Sequence, residues 1–137
     1  MNINFIVENL IETYNTRDPF ALCELLDIKV LFWDLEDTKG FYKKVLGKKY
    51  IVIDKNLSYF KKEVITSHEL GHAIVHDYND VILMKDTFMF PKHDKFEREA
   101  NEFAANLLIN DNEDYMGRYD PEDEFDEWLY SELLNYI

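Results

Sequence analysis

Hydrophobic side chains return every three or four residues at the start of the chain: Ile3, Ile6, Val7, Leu10, Ile11 and Tyr14 share one face of a helix spanning Asn2 to Tyr14. Asp18 then caps a second short helix, with Pro19 at its first position, ending near Leu26. The period changes next. Lys29 to Trp33, Phe41 to Leu46 and Lys49 to Asp54 are rich in β-branched and aromatic residues, and Gly47-Lys48 supplies a hairpin turn between the last two. Ser58 caps a long helix running to about Tyr78, and residues 79–93 read as irregular or partly extended. Asp94 to Ile109 regains the helical period. A last helix follows, capped by Asp120 with Pro121 first inside and an acidic first turn, burying Phe125, Trp128, Leu129, Leu133 and Tyr136. The pattern predicts an α+β fold, a small antiparallel sheet packed beside helices.

One helix breaks the amphipathic rule. From Val64 to Val75 every side is small or apolar except at His68, Glu69 and His72, and a helix apolar all round is a buried helix. Burying two imidazoles and a carboxylate without partners is costly, so such groups pair or bind a metal. Gly71 in mid-helix loses about 1 kcal/mol relative to Ala, which implies that something packs closely there.

The three polar residues read His-Glu-x-x-His. Histidines four apart stand one above the other on a helix face and can share a small cation. The intervening Glu69 points about 100° away, poorly placed as a ligand but well placed to touch a water beside the metal. That is the arrangement of metal-assisted hydrolysis. His76 continues the series, yet it lies about 12 Å along the axis from His68, too far for both to bind one ion, and reads as a histidine at the helix C-terminus. A core or solvated histidine pair is the bland alternative; the apolar surroundings weigh against it.

A catalytic zinc site needs a third protein ligand. In the segment from Asp94 to Ile109, Phe96, Ala100, Phe103, Ala104, Leu107 and Leu108 share the core-facing arc, while Arg98, Glu99, Glu102 and Asn106 point away. Glu97 falls between Ala104 and Leu108, and Asn101 lies just past the arc's edge. Glu97 is therefore the expected third ligand, with Asn101 holding a ligand from behind. A peripheral salt bridge from Glu97 to Lys61 or Lys62 is the competing reading. His93, between the two ligand segments, is the candidate electrophile for an oxyanion, against a plain surface histidine.

His68-Glu-Leu-Gly-His72, followed by Glu97-Arg-Glu-Ala100-Asn101-Glu-Phe103-Ala104-Ala105-Asn-Leu-Leu108, resembles the ImmA/IrrE family of zinc metallopeptidases. Asp18-Pro19-Phe20, Gly40-Phe41-Tyr42 and Ile51-Val52-Ile53-Asp54 extend the likeness upstream, so that it covers residues 1–110. The resemblance implies a zincin-like fold, one Zn2+ per chain on His68, His72 and Glu97, and Glu69 as general base. It also implies site-specific cleavage of a protein partner, a helix-turn-helix DNA-binding repressor of a phage or mobile element. Two departures stand out: where relatives continue into Met-Pro, this chain gives Ile109-Asn110, and its short remainder leads to the expectation that the extra domains some relatives carry are missing. In peptidases of this architecture a strand beside the metal helix can hold substrate as an added strand, and the runs within 41–54 are candidates.

Length and composition suit one domain over residues 1–137, with 111–137 an acidic segment and C-terminal helix. Formal net charge is −13; residues 111–127 hold nine acids and only Arg118 as a base, giving −8, and the remainder carries −5. This argues against direct nucleic-acid binding and suits a basic protein partner or simply a solvated face. No run of roughly 18 apolar residues and no signal peptide is evident, and the single Cys23 fits a reducing cytoplasm as a small buried hydrophobe. The rival function is a protein-binding regulatory module, or a toxin–antitoxin component, that retains a metal site without hydrolysis. Glu69, superfluous in a structural site, favours the enzyme.

Overall fold

The structure is a computed structural model. It describes residues 2–76, the backbone of 82–85, and residues 95–109 and 120–137. Helix α1 (Ile3–Tyr14) is capped by the Asn2 side chain, which accepts from the Phe5 amide, and α2 (Pro19–Leu25) by Asp18, which accepts from the Phe20 amide. Strands β1 (Ile28–Trp33), β2 (Thr38–Val45) and β3 (Lys48–Asp54) follow. Helix α3 (Tyr59–Gly71), capped by Ser58, runs into a π-helical turn, His72–His76. Strand β4 (Ile82–Lys85), α4 (Lys95–Leu108) and α5 (Glu124–Leu134) complete the described elements.

The architecture is α+β, but the sheet is mixed rather than antiparallel. Its order is β1-β3-β2-β4, with β1 parallel to β3 and the other pairs antiparallel. The hairpin makes β3 antiparallel to β2, and β3 then folds back between β2 and β1. Alternation within strands records which face is buried and says nothing about which neighbour lies alongside. Ile51, Val52 and Ile53 are all buried, as a central strand covered on both faces requires. The hairpin turn falls one residue earlier than Gly47-Lys48. Leu46 and Gly47 both have positive φ (50° and 79°), the conformation of a two-residue type I′ turn. β3 is paired on both edges, by β1 and β2, and β2 is paired by β3 along its length and by β4 from Thr38 to Tyr42. An added strand therefore has no free edge along β3 or along Phe41–Tyr42 of β2.

The core lies between sheet and helices and gathers Ile3, Val7, Leu22, Ile51, Ile53, Ile65, Leu70, Phe103, Leu107, Leu129 and Leu133, all essentially inaccessible. Each such side chain contributes roughly 1.5–3 kcal/mol of burial. Cys23 is part of this core, and burial pushes its thiol up to about 12, with Asp18 adding to the effect, so it is inert as a nucleophile. Helices α3 and α4 approach closely at Gly71, where a Cβ would stand 3.0 Å from the Cβ of Phe103.

The C-terminal helix begins later than expected. Asp123, not Asp120, is the cap, accepting from the Phe125 and Asp126 amides; Asp120 instead accepts from the Glu122 amide in a tight turn before it. Leu129 and Leu133 are buried, whereas Phe125 is exposed, with the Lys61 ammonium 4.4 Å above its ring. Buried Asp126 accepts from the Ser58 hydroxyl at 3.0 Å and lies 3.8 Å from the Lys61 ammonium. Lys61 is thus engaged by α5 and not by Glu97. Among the described residues no helix is long and apolar enough to cross a membrane.

Candidate metal centre

Helix α3 is buried at every position from Glu63 to Gly71, so the solvation cost anticipated for its polar residues is real. His68, Glu69 and His72 are each completely inaccessible. The two imidazoles lie edge to face with centroids 4.8 Å apart, and one ligand atom from each of the three residues falls within 4.8 Å of the others.

The first turn of α4 delivers Glu97 to the same point. Its Oε2 lies 2.8 Å from His68 Nε2 and its Oε1 3.1 Å from His72 Nε2. Burial alone would raise the Glu97 carboxyl, but hydrogen bonds and charge from His68 and His72 outweigh that and hold it well below the usual carboxylate range. Glu69 goes the other way. Burial, with repulsion from Glu97, pushes it well above its ordinary value, softened only by the Tyr42 backbone. Neither Glu69 oxygen makes a well-formed hydrogen bond.

This donor set fits a divalent cation. Tetrahedral ligands at about 2.0–2.1 Å from zinc lie about 3.3 Å from one another; the observed contacts of 2.8 and 3.1 Å are within about half an ångström of that. A positive ion would also reverse the electrostatic penalty on Glu69. Two nitrogen donors, a bridging carboxylate and a second carboxylate beside them form the kind of site that holds a metal and moves a proton next to it.

Two further residues join the cluster that sequence reasoning had set aside. His76 Nδ1 lies 2.9 Å from His72 Nδ1, and His76 Nε2 lies 3.0 Å from Glu99 Oε1. Burial lowers the His76 pKa, opposed by the hydrogen bond to Glu99. Phe96, expected in the core, is instead half exposed and packs edge-on against His76 at 4.7 Å. The signal for His76 was its spacing, four residues after His72. Rotation alone placed Glu99 in solvent, yet a long side chain at a helix flank can still reach a neighbouring element.

Asn101 is buried, but its Nδ2 donates to the Tyr136 hydroxyl at 3.3 Å, so it ties α4 to the chain beyond α5 and makes no described bond to Glu97 or a histidine. His93 lies outside the described residues.

Comparison with known proteins places this geometry in context. The family model of the IrrE N-terminal-like domain, a peptidase family, matches residues 23–115. The chain is 41% identical over 110 residues to a Bacillus phage phi105 protein, "Uncharacterized immunity region protein 2", covering 80% of this chain and 69% of that one. It is 28% identical over 107 residues to "Metallopeptidase ImmA" of Bacillus subtilis (strain 168), covering 77% and 62%. The chain thus spans about two thirds of the length of these relatives. No solved structure matches it.

Proposed function

Given that this chain belongs to the IrrE N-terminal-like, or ImmA/IrrE, family of peptidases, we propose that it is a zinc-dependent endopeptidase that makes a site-specific cut in a protein substrate. The observation that carries this is the convergence of His68 Nε2 and His72 Nε2 on the two oxygens of Glu97, beside a buried carboxylate with no well-formed hydrogen bond. Both carboxylates are close enough to compete for the third ligand position. Glu97 contacts both imidazoles at 2.8 and 3.1 Å, whereas Glu69, within 4.8 Å of them, hydrogen-bonds neither, so His68, His72 and Glu97 would hold one zinc and Glu69 would remain beside it.

Zinc bound there supplies Lewis-acid polarisation and lowers the pKa of a bound water toward about 7. Glu69 takes the proton from the attacking water and later returns it to the leaving amine. Burial and the neighbouring Glu97 carboxylate raise its proton affinity, in the direction that a proton-accepting group needs. The dry walls of α3 keep bulk water from competing for that proton.

A helix-turn-helix repressor of a phage or mobile element is the proposed substrate. The immunity-region wording of the phi105 relative and the net charge of −13, which favours a basic protein partner, support it. Such a substrate puts the activity in the cytoplasm. The test pairs two measurements on purified protein: zinc per chain after reconstitution and dialysis, and fragments of a candidate repressor resolved by mass spectrometry. One zinc per chain, with discrete fragments that vanish in Glu69→Gln, is expected. Metal retained by the wild type, with Glu69→Gln matching it in biological effect, would sink the hydrolytic reading and favour a binding module.

A further inference from the structure

We propose that His76 and Glu99 are positioning residues that fix the ring and the proton of His72, so that its Nε2 is always presented to the metal point as a free lone pair. The inference rests on the reading of His72 as a ligand. A ligating nitrogen must carry no proton. His72 points Nε2 at Glu97, 3.1 Å away, and Nδ1 at His76 Nδ1, 2.9 Å away. If Nε2 is free, the hydrogen of the neutral ring sits on Nδ1. Two nitrogens at this distance share one hydrogen, so His72 donates and His76 Nδ1 accepts. The hydrogen of neutral His76 is then on Nε2, and it is donated to Glu99 Oε1 at 3.0 Å. With Nε2 kept free for the metal, this assignment gives a donor and an acceptor to both the His72–His76 and the His76–Glu99 contact, and it leaves His72 ready to bind.

The chain ends on a carboxylate, the strongest acceptor available, and each hydrogen bond polarises the next toward His72. Partners behind a ligating histidine fix its tautomer and raise its basicity; here a second imidazole is interposed between ligand and carboxylate. The side chains are sequestered, with His76 2% and Glu99 13% exposed. Phe96 closes against the His76 ring at 4.7 Å. The π-helical turn spans His72 to His76, and such turns occur frequently at functional sites. The bland alternative is that the pair merely pins the end of the metal helix to α4.

Zinc dissociation constants, by competition with a chromophoric chelator, separate the two, together with the visible spectrum of the cobalt-substituted protein and thermal unfolding in EDTA. Glu99→Ala and His76→Phe should weaken zinc binding about 10–100-fold and shift the cobalt bands, while unfolding in EDTA stays close to wild type. Glu99→Gln, whose amide oxygen can accept the same hydrogen bond, should recover most of the affinity. Affinity within twofold of wild type in both Glu99→Ala and His76→Phe would overturn the proposal, as would a loss of affinity fully matched by destabilisation in EDTA. If the wild type binds one zinc that His68→Ala releases, such a result removes only this inference. A wild type that takes up no zinc removes the metal reading as well.

Discussion

Replacing Gly71 by alanine sets two effects of known size against each other. Relieving a mid-helix glycine gains at most about 1 kcal/mol of helix propensity. The added methyl, however, would sit 3.0, 3.1 and 3.2 Å from Cβ, Cγ and Cδ1 of Phe103, where carbon pairs prefer about 3.5–4.0 Å. Phe103 is wholly buried and its Cβ is fixed to the α4 backbone, so rotating the ring relieves only part of the clash; α4 itself must move. Overpacking of this kind costs about 1–3 kcal/mol. The net expectation is a loss of about 1 kcal/mol, a fall in melting temperature of roughly 3–5 °C for a chain of this size, read by denaturation in EDTA. Zinc affinity should fall too, because α4 carries Glu97 and Gly71 adjoins His72. Phe103→Leu, whose side chain can turn away, should soften the effect of Gly71→Ala. A Gly71→Ala protein at least as stable as wild type would refute the close approach of α3 and α4.

Two other substitutions probe buried acids. In EDTA, Glu69→Gln should be more stable than wild type at pH 8, with the difference shrinking toward pH 4. A folded-state pKa raised by burial means that Glu69's favourable contribution is complete below its unfolded value and is lost as pH rises through the folded one. Urea titrations at the two pH values would show it, and a wild type that stays the more stable at pH 8 would contradict it. Asp126→Ala should destabilise by about 1–3 kcal/mol, since it strips a partner from Ser58 and Lys61, and hydrogen exchange should rise first in α5.

How much of this could be read in advance depended on whether the deciding physics was local. The caps at Asp18 and Ser58 and the stripe of α1 depend on neighbours within a turn, and they lie where the pattern put them. The close packing implied by Gly71 is there, against Phe103. Sheet order depends on contacts far apart in sequence, which is why the parallel β1–β3 pair was missed. The cap of α5 moved from Asp120 to Asp123 because several acids near it can each cap, and only tertiary contact chooses: Asp126, held by Ser58 and Lys61, sets the helix start. Within the cluster, Glu97 was legible as an acid on an apolar face. Glu99 was not, because rotation about one helix cannot say how near another element comes.

Buried carboxylates elsewhere in the fold sharpen the meaning of Glu69. Asp54 accepts hydrogen bonds from Asn56, through both its amide and its side chain, and from the Leu35 amide. Asp126 accepts from Ser58 and faces Lys61. Both are satisfied inside the protein, as stability requires. Glu69 is more deeply buried than either, has no well-formed hydrogen bond and lies close enough to a second carboxylate, Glu97, for their repulsion to raise its pKa further. The Tyr42 backbone offsets this only in part, and an alanine or leucine at this position would carry no such electrostatic cost. The arrangement becomes favourable when positive charge stands beside it, and the two imidazoles meeting on Glu97 mark where that charge would go. The contrast with Asp54 and Asp126, each satisfied by protein donors, is what the proposed metal would account for: it would supply the charge that Glu69 lacks.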